Sequence, residues 1–92
     1  MTYTDEFHDQ YRAALRAHLQ SRDEDSLAVG HELGRRALQE QISMLDIIEN
    51  TFWLLDDISK TQTVDRGIAL EFVLQTLAPL DVATRGFIDG TR

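Results

Sequence analysis

Apolar side chains in this sequence recur at steps of three and four residues from Phe7 to Leu80, and nowhere alternate with polar ones over a useful length. That spacing gathers them on one side of an α-helix, whereas a half-buried strand would need a period of two. A single proline among 92 residues leaves long stretches without a helix breaker. The chain is therefore expected to be all-α, a four-helix domain occupying 1–92 as one unit, since domains usually need roughly 100 residues or more. No low-complexity tract, repeat or 20-residue apolar span is evident.

The first helix is expected over about 3–20, where Phe7, Tyr11, Ala14, Leu15 and His18 form a stripe. Asp5, Glu6 and Asp9 open it and Arg12 and Arg16 follow, the charge order that the helix macrodipole favours. A second helix, about 24–41, starts within Ser21–Ser26, where a Ser21-x-x-Glu24 capping box competes with Asp23 as the cap. It carries Leu27, Gly30, Gly34, Ala37, Leu38 and Gln41, with Glu32 four residues before Arg36 for an ion pair. The third, about 44–58 behind Ser43, has two apolar rows: Leu45, Ile48, Phe52 and Leu55, then Ile47, Thr51, Leu54 and Ile58. Two rows exceed the ~100° arc that one core contact requires. The polar stretch 59–64 leads to Asp65 as the cap of a fourth helix, about 65–90. It too has two rows, Leu70, Val73, Leu74, Leu77 and Leu80 against Ile68 and Phe72, a kink or restart near Pro79, and an Asp81–Arg85 pair.

Sixteen acidic against nine basic residues give a net charge of −7, which repels a phosphate backbone and argues against nucleic-acid binding. The absence of cysteine excludes disulfides and thiolate chemistry. The N-terminus is acidic where a secretory signal would be basic, so the expected location is cytoplasmic. No metal or other cofactor is expected: His8 and His18 are ten residues apart and diverge, and His31-Glu32 is followed at 35 by Arg where a zincin has its second histidine. Asp56-Asp57 and Asp23-Glu24-Asp25 read as caps and solvated faces, and no phosphate-cradling loop or nucleophile elbow is present. Catalysis is not expected.

What remains is surface. A chain this short buries only somewhat over roughly 60% of its unfolded surface. Trp53 and the doubled rows of the third and fourth helices leave apolar area for a partner, and a second copy of the chain would absorb it as a homodimer. Gly30 and Gly34 form a small-x-x-x-small pair that admits a close neighbouring helix.

The segments Tyr11 to Leu15, Asp23-Glu24-Asp25-Ser26-Leu27, Arg35-Arg36-Ala37-Leu38, Gln41-Ile42, Leu74, Leu77-Ala78-Pro79-Leu80 and Arg85-Gly86-Phe87 resemble the N-terminal domain of RsbU-type phosphatases. These are regulators in bacterial partner-switching stress pathways, and the likeness covers nearly the whole chain. The resemblance implies a four-helix module that forms a homodimer and receives an activating switch kinase, RsbT. A separate metal-dependent serine/threonine phosphatase domain, too large for 92 residues, then dephosphorylates an anti-anti-sigma factor and so frees a sigma factor. The kinase-docking positions it implies are Glu24, Leu27, Ala28 and Leu74, with Leu70 and Leu77 a turn to either side of Leu74. Ala28 departs from relatives with a larger side chain there. Two readings stand against this one: Leu27, Leu74 and Leu77 as core with Glu24 only a cap, and a free-standing adaptor or antagonist with no tethered phosphatase.

Overall fold

A computed structural model of the chain describes the backbone of residues 3–90 and the side chains of 5–85. Four α-helices follow one another: α1 (Tyr3–Ser21), α2 (Glu24–Gln39), α3 (Met44–Ser59) and α4 (Arg66–Gly90). Among the described residues there is no strand.

The ends of the helices follow from side-chain chemistry. Arg22 takes a left-handed turn (φ 55°) and Asp23 caps α2, its carboxylate accepting the Ser26 N–H at 2.9 Å. The Ser21 capping box does not form, because Ser21 is still the last residue of α1. The α2 terminus comes two residues before the expected one. Gln41 is left-handed (φ 58°), Ile42 N–H reaches Ala37 O at 2.8 Å and Gln41 N–H reaches Leu38 O at 3.3 Å, which together are a Schellman ending. Ser43 caps α3, and the Asp65 carboxylate caps α4 by accepting the Gly67 and Ile68 N–H groups. The expected Glu32–Arg36 pair is replaced: Glu32 meets Arg35, while Arg36 meets Glu40 and the Gln10 side chain across on α1. Asp81 and Arg85 do pair, at 3.1 Å.

The tightest packing joins α2 to α4. A Cβ on Gly30 would lie 2.8 Å from the Phe72 ring, and one on Gly34 would lie 1.9 Å from the Thr76 carbonyl oxygen. Only hydrogen fits at either place. Because 30 faces 72 and 34 faces 76, the two helices run parallel, and the glycine pair is spent inside the chain. On α1, Phe7, Tyr11, Leu15 and Leu19 close the core against Leu33, Ala37, Ala69, Phe72 and Leu80. Each large side chain so buried contributes roughly 1.5–3 kcal/mol. The inner row of α4 is Ala69, Phe72, Thr76 and Leu80; Leu70 and Leu74 face outward, contrary to the grouping by leucines. Thr76 bonds its hydroxyl to Phe72 O at 3.2 Å. The helix does not restart at Pro79. Its stretch Arg66–Arg85 is, by length and composition, apolar enough to cross a membrane, which the sequence reading missed. Here its inner row lies against α1 and α2.

The third helix is attached differently. Ile47, Thr51, Leu54 and Ile58 are its buried row. It lies against α1 and α4, anchored where Tyr11 OH donates to Thr51 Oγ1 at 2.8 Å and Thr51 passes its own proton to Ile47 O at 2.7 Å. An Arg12–Asp57 ion pair closes the same joint. Burial pushes the Tyr11 phenol up to about 12, against the lowering effect of the Thr51 bond.

Candidate protein-interaction site

The parallel register of α2 and α4 decides whether the expected docking residues share a surface. With Gly30 opposite Phe72 and Gly34 opposite Thr76, Ala28 is level with Leu70 and Glu32 with Leu74. Glu24 and Ala28 are exposed at the start of α2, and Leu27 is half-buried. Leu70 and Leu74 are 56% and 57% exposed, one helical turn apart on α4. Leu77 is half-buried and packs against the core. The register puts Leu70 one turn and Leu74 two turns beyond the level of Glu24, at the acidic opening turn of α2. Leu74 is not core; for Leu77 the core reading holds in part.

Under this face sits a group that the sequence reading took only as structural. His18 is fully buried, its Nδ1 2.6 Å from Ser26 Oγ and its Nε2 3.4 Å from a Glu71 carboxylate oxygen, with its ring 5.7 Å from that of Phe72. The imidazole from α1 is therefore hydrogen-bonded to the first turn of α2 and lies against the Phe72 ring of α4. The Ser26 backbone N–H donates to the Asp23 carboxylate, and this bond first, with the Ser26 side chain second, holds the Asp23 carboxyl below its ordinary range. The α2 end of the surface is consequently fixed in place.

A second open surface lies on α3. Leu45 and Phe52 are 74% and 73% exposed and Trp53 is 68% exposed. Of the two rows legible in the sequence, the one containing Leu45 and Phe52 is open at these two positions and half-buried at Ile48 and Leu55, the latter packed against the core. Val29, Leu38 and Val82 are also exposed. Among the described residues no group of three or more His, Cys, Asp or Glu is placed to hold a metal ion.

Comparison with known families says what kind of module carries these surfaces. The model of the phosphoserine phosphatase RsbU N-terminal domain matches residues 9–83. The chain belongs to that family. An RsbU N-terminal domain is the regulatory part of such a phosphatase and not its catalytic part, and the family places the chain in stress-response partner switching. No curated protein and no solved structure matches the chain.

Proposed function

We propose that this RsbU N-terminal domain is a dimeric receiver for an RsbT-like switch kinase, which docks on the face made by Glu24, Leu27, Ala28, Leu70, Leu74 and Leu77. The observation that carries the reading is the exposure of Leu70 and Leu74 on one face of α4. Two leucines a turn apart beside an acidic helix start give an apolar anchor with a charged rim, the usual anatomy of a regulated interface. The α3 row Leu45, Ile48, Phe52 and Leu55 has the alternating three-and-four spacing by which two like helices pair, and its Leu45 and Phe52 are open while Ile48 and Leu55 are half-buried. A second copy of the chain covers it, and the site of action is the cytoplasm.

Docking on α4 bears directly on its far end, because the helix is continuous from Arg66 to Gly90. In this mechanism the kinase stiffens the dimer and the last turns of α4, and a tethered phosphatase domain responds by releasing its anti-anti-sigma substrate from phosphate. The domain itself does no chemistry.

The test is Leu74→Asp, measured against the switch kinase of the same organism. Binding should weaken at least tenfold while circular dichroism stays helical, as befits an exposed position. Undiminished binding would remove the kinase from this face, and a collapsed spectrum would return Leu74 to the core. Light scattering of the unaltered chain at micromolar concentration should give about twice the monomer mass of 10.5 kDa.

A further inference from the structure

Beneath the docking face, one nitrogen of the fully buried His18 ring has nothing to bond to. Ser26 Oγ lies 2.6 Å from Nδ1, and the same hydroxyl donates to Asp23 O at 2.9 Å. A hydroxyl has one proton to give, so Nδ1 carries the ring hydrogen and Ser26 accepts it. In the uncharged ring Nε2 is then a bare acceptor. A Glu71 carboxylate oxygen, also an acceptor, lies 3.4 Å from it. Buried polar atoms are nearly always satisfied, so two acceptors facing each other in this way mark the place of a missing proton.

One proton taken up from solvent at Nε2 completes the arrangement. The imidazolium donates from Nδ1 to Ser26 and from Nε2 to Glu71, and neither nitrogen is left unmatched. Burial opposes a lone charge, whereas an opposite charge within ~4 Å favours one. The Phe72 ring, 5.7 Å away and inclined by 31°, adds an aromatic face that attracts a cation. The Glu71 side chain is half-exposed, so its carboxylate links the buried ring to water. Of the other charged groups on the elements that meet His18, Asp23 is engaged at the α2 cap by the Ser26 N–H, and Arg22 reaches His18 through its backbone N–H on the His18 carbonyl oxygen.

We infer that His18 is a proton-operated latch: uptake of one proton draws Glu71 onto Nε2 and joins the first turn of α2 to α4. Glu71 stands between Leu70 and Leu74, and Ser26 between Glu24 and Leu27, so the latch links the two halves of the face assigned above to the switch kinase. Its regulatory half rests on that assignment. A face joined in advance has less to order on docking, so mild acid favours the complex.

The latch is read by NMR on the whole chain alone, from about pH 8 to 5, the range in which histidines change charge. Ring nitrogen resonances of His18 should show Nδ1–H with a bare Nε2 at the alkaline end and both nitrogens protonated at the acid end. The Glu71 carboxyl and the backbone amides of 24–27 should move in step with the ring. In Glu71→Gln, a change at a half-exposed position, the step in those amides should shrink about threefold or more. An Nε2–H tautomer at the alkaline end, a ring that never gains its second proton, or a Glu71 carboxyl indifferent to the ring would each overturn the latch. Docking of the switch kinase should be about threefold tighter, or more, near pH 6 than near pH 7.5, and the difference should vanish in both Glu71→Gln and His18→Gln. A latch that closes while docking shows no such difference would overturn the regulatory half. No docking at either pH would remove the kinase from the face, and the regulatory half with it, while the NMR titration still decides the latch.

Discussion

The α2–α4 seam and the outer side of α3 are opposite solutions to the same shortage of core. At the seam, side chains have been removed until backbone nearly touches ring and carbonyl, with no room for even a methyl group at Gly34. On α3, large side chains have been kept and left in water, Leu45 and Phe52 among them. A small chain cannot cover all its apolar area alone. The seam shows where this one commits its packing internally, and α3 shows what it holds back for contact with another molecule. The difference also separates roles: the seam fixes the register of the α2–α4 face, and α3 buries one row in the core, with the Tyr11–Thr51 hydrogen bond within it, and leaves Leu45 and Phe52 in water.

The largest break in that comparison comes from Gly34→Ala. Helix propensity alone favours alanine by ~1 kcal/mol, so a loose seam would be stabilised. A Cβ 1.9 Å from the Thr76 carbonyl oxygen instead forces α2 off α4, and the cost should reach about 3 kcal/mol or more in urea unfolding. Gly30→Ala should cost less, about 1–2 kcal/mol, since the atom it meets is the Phe72 ring and not backbone. A stabilised Gly34→Ala variant would show that the seam is not close-packed.

The α3 joint breaks more gently, and by pH. Tyr11 titrates at about 12 when folded against 10.0 when unfolded. The raised value favours the neutral phenol, so its contribution is intact below pH 10 and is lost as pH rises from 10 through 12. Two units correspond to about 3 kcal/mol across that window. Tyr11→Phe should flatten the alkaline limb, at a cost near neutrality of about 1 kcal/mol for the lost hydrogen bond. Chemical unfolding between pH 9 and 12 measures both, and an unchanged limb would mean that the phenol is not shielded.

Helix number, order and caps were legible because period, charge order and cap residues are local. Which row of a helix faces inward was not. On α4 the leucines looked like the core row, yet Ala69 and Thr76 are inside. Small residues win there because the glycines of α2 bring the backbones together, a fact of pairing that no single helix reveals. On α3 both rows were visible, but which one faces inward depends on contacts with distant parts of the chain, among them the Tyr11–Thr51 hydrogen bond across 40 residues. His18 was readable on the α1 stripe, but its contacts were not, because Ser26 and Phe72 reach it from other helices. The docking residues came from family likeness rather than spacing. Geometry adds that Leu70 and Leu74 are open, and that Leu77 is partly taken up by the core.

The smallest effect on the fold, and the sharpest on the comparison, is expected from Phe52→Glu. Phe52 is 73% exposed and belongs to the α3 row that the chain leaves partly uncovered. Monomer stability should therefore change by no more than about 0.5 kcal/mol, as for other open surface positions. If a second copy covers this row, a buried glutamate at its centre would leave charge without a partner in an apolar contact, which costs far more than the pairing returns. The mass by light scattering should fall to that of one chain, and the dependence of the melting temperature on concentration should vanish, because that dependence comes only from association. Leu74→Asp should leave both mass and melting unchanged, since it lies on the other surface. A Phe52→Glu variant that stays dimeric would move self-pairing away from α3, leaving its exposed row for a different partner.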